Sequence, residues 1–223
     1  MLIALTAVAA GTDAISYLGF GSVFPANMTG NTVLLGIGLA SGDYGGAARS
    51  LVALGAFVLG AMAVGLALVG RPWRSMIAAA SGVELVLLAA TCGWWLAAGN
   101  GSSDAVYGMI ALVSTAMGVQ SATVSGLDVG VSTTYITGTW TSVSTWAASL
   151  VRPAARTSPS ASGATDRHAR RAAVLVTYFC AALAAGFLEH GVGAPAIALP
   201  LGVLAVVAAA CTLTAADRAR TPS

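Results

Sequence analysis

This sequence predicts an all-α, polytopic integral membrane protein of six transmembrane helices, arranged as a 3+3 inverted repeat with two interrupted, re-entrant segments. Three observations carry that expectation. The 223 residues are 57% hydrophobic and 8% charged, with a mean hydropathy of +0.84, whereas soluble domains carry about 25% charged residues. Six stretches, at about 2–23, 48–70, 75–98, 105–127, 172–189 and 194–215, are apolar over the roughly 20 residues that a helix needs to cross a bilayer. Two polar segments half a chain apart, Gly11–Leu35 and Gly118–Val143, also align with one another.

The first span lacks a basic lead and runs straight into Gly11-Thr12-Asp13, so it reads as mature structure and not as a signal peptide. It ends in the run Gly19–Asn31, which holds three Gly, one Pro and two Asn and is a poor recipe for continuous helix. Pro25 has no N–H to donate, and it pushes Phe24 towards an extended backbone. The short apolar piece 31–41 that follows is too short to span and reads as a half-helix or interfacial helix, capped by Thr29 or Asn31. The piece 139–150 repeats the pattern after the second motif, with Thr137 or Thr139 as its cap. The alignment pairs Gly11 with Gly118 and Gly19 with Gly126; after a one-residue gap it pairs Val23 with Val131, Thr29 with Thr137 and Gly30 with Gly138.

Arginine placement predicts orientation. Nine of the ten Arg lie between spans two and three (Arg71, Arg74), between spans four and five (Arg152, Arg156, Arg167, Arg170, Arg171) or after span six (Arg218, Arg220). Arg-rich short loops stay in the cytoplasm, so both termini are expected there, in a bacterial inner (plasma) membrane. Arg49 is the exception, at the outer end of span two. The segment Pro153–Thr165 reads as a cytoplasmic linker. The chain then divides into 1–98 (first repeat), 99–150 (outer loop, fourth span and second motif), 151–171 (linker), 172–216 (spans five and six) and 217–223 (tail). Three spans per half is an odd number, so the second half enters from the opposite side, as an inverted repeat requires.

Broken backbone inside a bilayer survives only where protein or water satisfies it. Matched polar breaks in two halves point to a transporter site near the midplane. The substrate-binding candidates are Asp13, Asn27, Thr29, Gly30, Asn31, Gln120, Thr133, Thr134, Thr137 and Gly138. Half-helix N-termini near Thr29 and Thr137 would favour anionic groups, while carbonyls and Thr hydroxyls would suit a cation. The alternative is that Thr, Ser and Gly simply let helices pack closely.

A mid-span carboxylate costs roughly 2.5–3.5 kcal/mol, which marks Asp13 and Glu84 as proton-coupling candidates. The alternative for Asp13 is a protonated acid bonded across helices; Glu84 is expected to pair with a polar neighbour. Gln120 is the repeat partner of Asp13. Asp128, Glu189 and His190 read as helix-end groups, and Trp94 and Trp95 as an aromatic belt. Gly55, Gly60 and Gly65, with Ala56, Ala61 and Ala63, form a small-residue stripe that suits helix packing or a homodimer.

Cys92, Cys180 and Cys211 have neither disulfide nor metal spacing. HExxH, GxSxG and P-loop motifs are absent and only two His occur, so no catalytic residue, metal or cofactor is expected. The net charge of +2 gives no reason to expect nucleic acid. The partners are the lipid bilayer and an unidentified small solute or ion.

Five segments carry a family resemblance: Gly11-Thr12-Asp13-Ala14, Phe24 to Asn31, Leu54 to Ala61, Gly118 to Ala122, and Thr133 to Thr139. On these the chain resembles the YoaK-like family of bacterial six-helix membrane proteins over nearly its whole length. It departs from that family in lacking a short basic lead before the first span, which leaves room for a start further upstream. The resemblance implies six helices and a plasma-membrane location, and it brings no established activity. The functional expectation is a small-solute transporter, possible proton coupling included, with a channel or a non-transporting scaffold or regulatory protein as alternatives.

Overall fold

A computed structural model describes residues 1–67, 73–98, 102–126, 136–151 and 161–219, and these are helical apart from short turns. The first helix, α1 (Leu2–Ser16), runs without interruption into a π-helical turn at Tyr17–Gly21. Ser22 then adopts a left-handed conformation (φ 51°, ψ 36°) that stops the helix. Helix α2 (Met28–Ser41) begins after the 22–27 loop and ends at Gly42, whose φ of 78° suits glycine at a helix C-terminus. Asp43 starts α3 (Tyr44–Ala67) by accepting from the Gly46 amide at 2.9 Å. Next come α4 (Trp73–Ala98) and α5 (Ser103–Ser125), the latter capped by Ser102, which accepts from the Ala105 amide at 3.2 Å. The chain continues with α6 (Ile136–Val151), α7 (Ala161–Val192), a 3₁₀ turn at Ala194–Ile197 and α8 (Ala198–Ala219).

Six helices are long and apolar enough to span: Leu2–Gly21, Tyr44–Ala67, Met76–Ala98, Ser103–Ser125, Arg167–Val192 and Ala194–Cys211. They match the six predicted spans, and α2 and α6 match the two short pieces. Three boundaries differ, among them that of α6, which already includes Ile136, so Thr137 and Thr139 lie inside it and do not cap it. Helix α2 starts at Met28 because Asn27, and not Thr29 or Asn31, is its cap. Helix α7 starts at Ala161, inside the segment read as a linker. No proline follows Pro159 before Pro195, and Ala161, Ala164 and Ala169 favour a helix that accommodates Gly163. The remainder of that linker, 152–160, lies outside the described residues, as do Asp128, Arg71 and Arg220.

The packing crosses the two halves. Helix α1 packs against α7 and α8, and α5 packs against α3 and α4. Helix α2 lies on α3 and α6 on α7, while α4 meets α8 and α1 meets α5. One hydrophobic cluster fills the centre, with Leu5, Val8, Leu88, Met109, Val113, Met117 and Leu204 all buried. The α3–α5 crossing is the tightest contact. A Cβ on Gly60 would strike the Thr115 carbonyl, and one on Gly118 would strike the Phe57 carbonyl. Gly55 and Gly65 have nothing within 4 Å while Ala56 is buried, so the predicted small-residue stripe holds packed positions at Ala56 and Gly60 and open ones at Gly55 and Gly65.

Candidate functional site

The 22–27 loop breaks the helical ladder inside the bundle, so its backbone groups need other partners. The polar residues of the first motif supply them. Asn31 is fully buried and grips Phe24 at two points: its Oδ1 accepts from the Phe24 amide at 2.9 Å, and its Nδ2 donates to the Phe24 carbonyl at 2.7 Å. Asn27 Oδ1 accepts from the Gly30 amide at 3.1 Å and caps α2. Phe24 also stacks on Tyr17 of the π turn, with ring centroids 4.7 Å apart. Gly30 leaves room for that ring, since a Cβ there would come within 2.9 Å of it.

Asp13 joins three elements. It projects from α1, its Oδ1 accepts from the Ala26 amide of the loop at 2.7 Å, and its Oδ2 accepts from the Tyr178 hydroxyl of α7 at 2.8 Å. The carboxylate therefore stands at the N-terminal end of α2, where the helix dipole favours negative charge. The chain fills with its own Asp13 the anion-favouring position that the sequence offered to a solute.

Two further bonds tie α1 to its neighbours. Gln120 of α5 donates from Nε2 to the Leu5 carbonyl at 3.0 Å. Arg49 of α3 donates from Nε to the Gly21 carbonyl at 3.0 Å, which explains a lone arginine at the start of span two. Gln120 and Asp13 do not meet: eight residues of α1, roughly 12 Å, separate Leu5 from Asp13.

The other predicted residues fall into distinct places. Thr29 and Thr137 are both exposed, Gly138 is half-buried, and Thr133 and Thr134 lie outside the described residues. Glu84 is buried at 1% exposure, and its Oε1 has no hydrogen-bond partner. No group of three or more His, Cys, Asp or Glu occurs among the described residues. Trp94 is exposed, as a belt residue would be, but Trp95 is buried edge-on against Phe20, with centroids 4.9 Å apart. The reason is Gly19, whose missing side chain admits the Trp95 ring. Sequence reasoning missed Tyr178, although a tyrosine within an apolar span needs a partner for its hydroxyl. It also missed Ala26, whose amide gives no sequence signal.

Comparison with known proteins fits this architecture. Residues 1–210 match the family described as protein of unknown function DUF1275. The chain is 35% identical over 149 residues to the UPF0700 transmembrane protein YoaK of Bacillus subtilis (strain 168). That alignment covers 64% of this chain and 64% of the relative, so the chain spans just under two thirds of that relative's length. No solved structure matches. With six apolar helices and a match running from its first residue through most of α8, the chain belongs to the DUF1275 family of multi-pass membrane proteins.

Proposed function

We propose that this protein is a small-solute transporter of the inner membrane, with both termini cytoplasmic, built from two inverted halves that have exchanged their first helices. The cross-half packing carries this reading. Helix α1 packs on α7 and α8 while α5 packs on α3 and α4; α2 rides on α3 while α6 rides on α7. Exchanging α1 with α5, α2 with α6, α3 with α7 and α4 with α8 turns each of these contacts into another of the same set. A pseudo-two-fold axis within the membrane plane predicts that pattern. The α4–α8 and α1–α5 contacts map onto themselves and would lie on the axis.

The moving parts are then not residues 1–98 against the remainder. One bundle is α1 with α6, α7 and α8, and the other is α5 with α2, α3 and α4. The bonds from Gln120 to Leu5, Arg49 to Gly21 and Ala26 to Asp13 all cross between these bundles. Asp13 is the chemically addressable one: a proton or a solute cation taking its carboxylate would weaken its hold on Ala26 and free α2 from α1. Asp13 and Gln120 remain the leading contacts for solute. Thr137 and Gly138 would line the matching end of α6, and Asn27, Thr29, Gly30 and Asn31 the end of α2.

The test is thermal unfolding of the purified protein in detergent against a broad panel of metabolites and ions. A ligand at 100 times its Kd stabilises the native state by about 2.7 kcal/mol. The expected result is a stabilising compound whose effect is lost in Asp13→Asn and retained in Gly55→Ala. A compound that stabilises both variants equally would remove Asp13 from the site. A well-folded sample that responds to nothing would count against transport and favour the scaffold alternative.

A further inference from the structure

Glu84 stands apart from the Asp13 junction and takes no part in it. Helix α4 packs on α5, α8 and the 3₁₀ turn, so a side chain on α4 that is 1% exposed lies among those elements. The register of the α4–α5 hairpin fixes its height. Trp94 lies over Gly108, Met76 reaches Gly126, and Ala80 packs with Val119. Glu84 is therefore level with Gly118, two residues or roughly 3 Å along the axis from Gln120. Gln120 is 2% exposed, and its Oε1 is buried with no hydrogen-bond partner. Thr12 of α1 is equally buried, with an equally unpartnered Oγ1. It lies seven residues of α1, roughly 10 Å, from Leu5, which meets Gln120, so it stands apart from the level of Glu84 and Gln120. The helices α1, α8, α4 and α5 contact one another in a closed ring, and Glu84 and Gln120 are buried at nearly one level of it.

No described positive charge faces Glu84. On α5 the titratable groups are Asp104 and Tyr107, some 11 to 14 residues or about 15–20 Å towards the other end. The described side chains of α8 bring only Cys211, the 3₁₀ turn brings none, and α4 itself offers Cys92 two turns away. From α1 come the Met1 amino group, at the exposed start of the helix four residues before Leu5, and Asp13, whose carboxylate is turned to Ala26 and Tyr178. A bare carboxylate in such surroundings is strongly disfavoured. A bound proton or small hard cation relieves that penalty, and an all-oxygen donor set suits either.

We propose that Glu84 is a small-cation site, taking a proton or Na⁺ inside the four-helix ring with Gln120 Oε1 as the supporting oxygen. The ring draws two helices from each exchanged bundle, so an ion held there would favour one arrangement of the bundles. That coupling role rests on the transporter reading; the site itself does not.

Glu84 and Glu189 are the only glutamates in the chain, so carboxyl-¹³C glutamate labelling gives two side-chain signals in the full-length protein. Infrared or NMR spectra would be followed against pH, with NaCl or choline chloride as the salt. Glu189→Gln leaves the Glu84 signal alone, and Glu84→Gln should delete it. The expected result is a Glu84 signal that switches between protonated and ionised forms with pH. A switch displaced to lower pH by Na⁺ identifies sodium as the competing ligand, and one indifferent to Na⁺ identifies the proton. A Glu84 signal unchanged by both pH and Na⁺ overturns the proposal, and the Glu189→Gln variant isolates that signal even if Glu84→Gln fails to fold. No solute is involved, so the site can fail while transport stands, and the reverse.

Discussion

Asp13 shows how one residue type can satisfy two readings at once. A mid-span carboxylate is costly unless held, and here its two oxygens hold a loop amide and a tyrosine hydroxyl. Removing it leaves both donors buried without partners, at roughly 1–3 kcal/mol for each. Asp13→Ala should therefore destabilise the protein by about 2–6 kcal/mol. Asp13→Asn should cost far less, because its amide oxygen still serves Ala26 and its amine can turn towards the Tyr178 oxygen. Tyr178→Phe should fall between the two. Denaturant unfolding in detergent checks the order, and equal losses for Asn and Ala would mean that charge, not bonding, is what matters there.

At the scale of elements, the glycines of α3 separate packing from lipid exposure. A methyl group at Gly60 or Gly118 would press on a backbone carbonyl of the facing helix, and backbone cannot turn aside as a flexible side chain can. Gly60→Ala and Gly118→Ala should each cost about 1–3 kcal/mol by overpacking. Gly55→Ala and Gly65→Ala face open space and should be neutral or slightly stabilising, since alanine favours helix over glycine by about 1 kcal/mol. Thermal unfolding of the four variants decides this. Loss of stability at Gly55 and Gly65 as well would instead reveal a second copy of the chain packed on that face.

For the whole molecule, the feature that sets the architecture is the placement of α1 beside α7. A Cβ at Gly11 would lie 3.6 Å from the Ala185 Cβ, inside the range of roughly 3.5–4.5 Å that a disulfide spans. With Cys92, Cys180 and Cys211 replaced by Ala, the pair Gly11→Cys and Ala185→Cys should cross-link on mild oxidation. A protease site placed within 153–160 would then cut the chain without releasing the fragment carrying α7 and α8 from that carrying α1 to α6 until a reductant is added. Fragments that part without reductant would mean that α1 does not lie beside α7.

Much of this was legible in the sequence, for a plain reason. A bilayer demands about 20 apolar residues for each crossing and tolerates a break only where polar groups serve the backbone. The six spans, the two short helices and the irregular run from Gly19 to Asn31 could therefore be read from residue type alone, and so could the position of Asp13 within the first span. Partners could not, because they depend on which helices lie together. Nothing local to Asn31 says that it clasps Phe24, nothing local to Asp13 names Tyr178 a further 165 residues along, and no periodicity distinguishes Gly60 from Gly55. The crossing of α1 to α7 and of α5 to α3 was settled only by tertiary packing. Lipid is as apolar as the helix faces, so hydropathy cannot rank one neighbour over another, and close fit and hydrogen bonding make the choice.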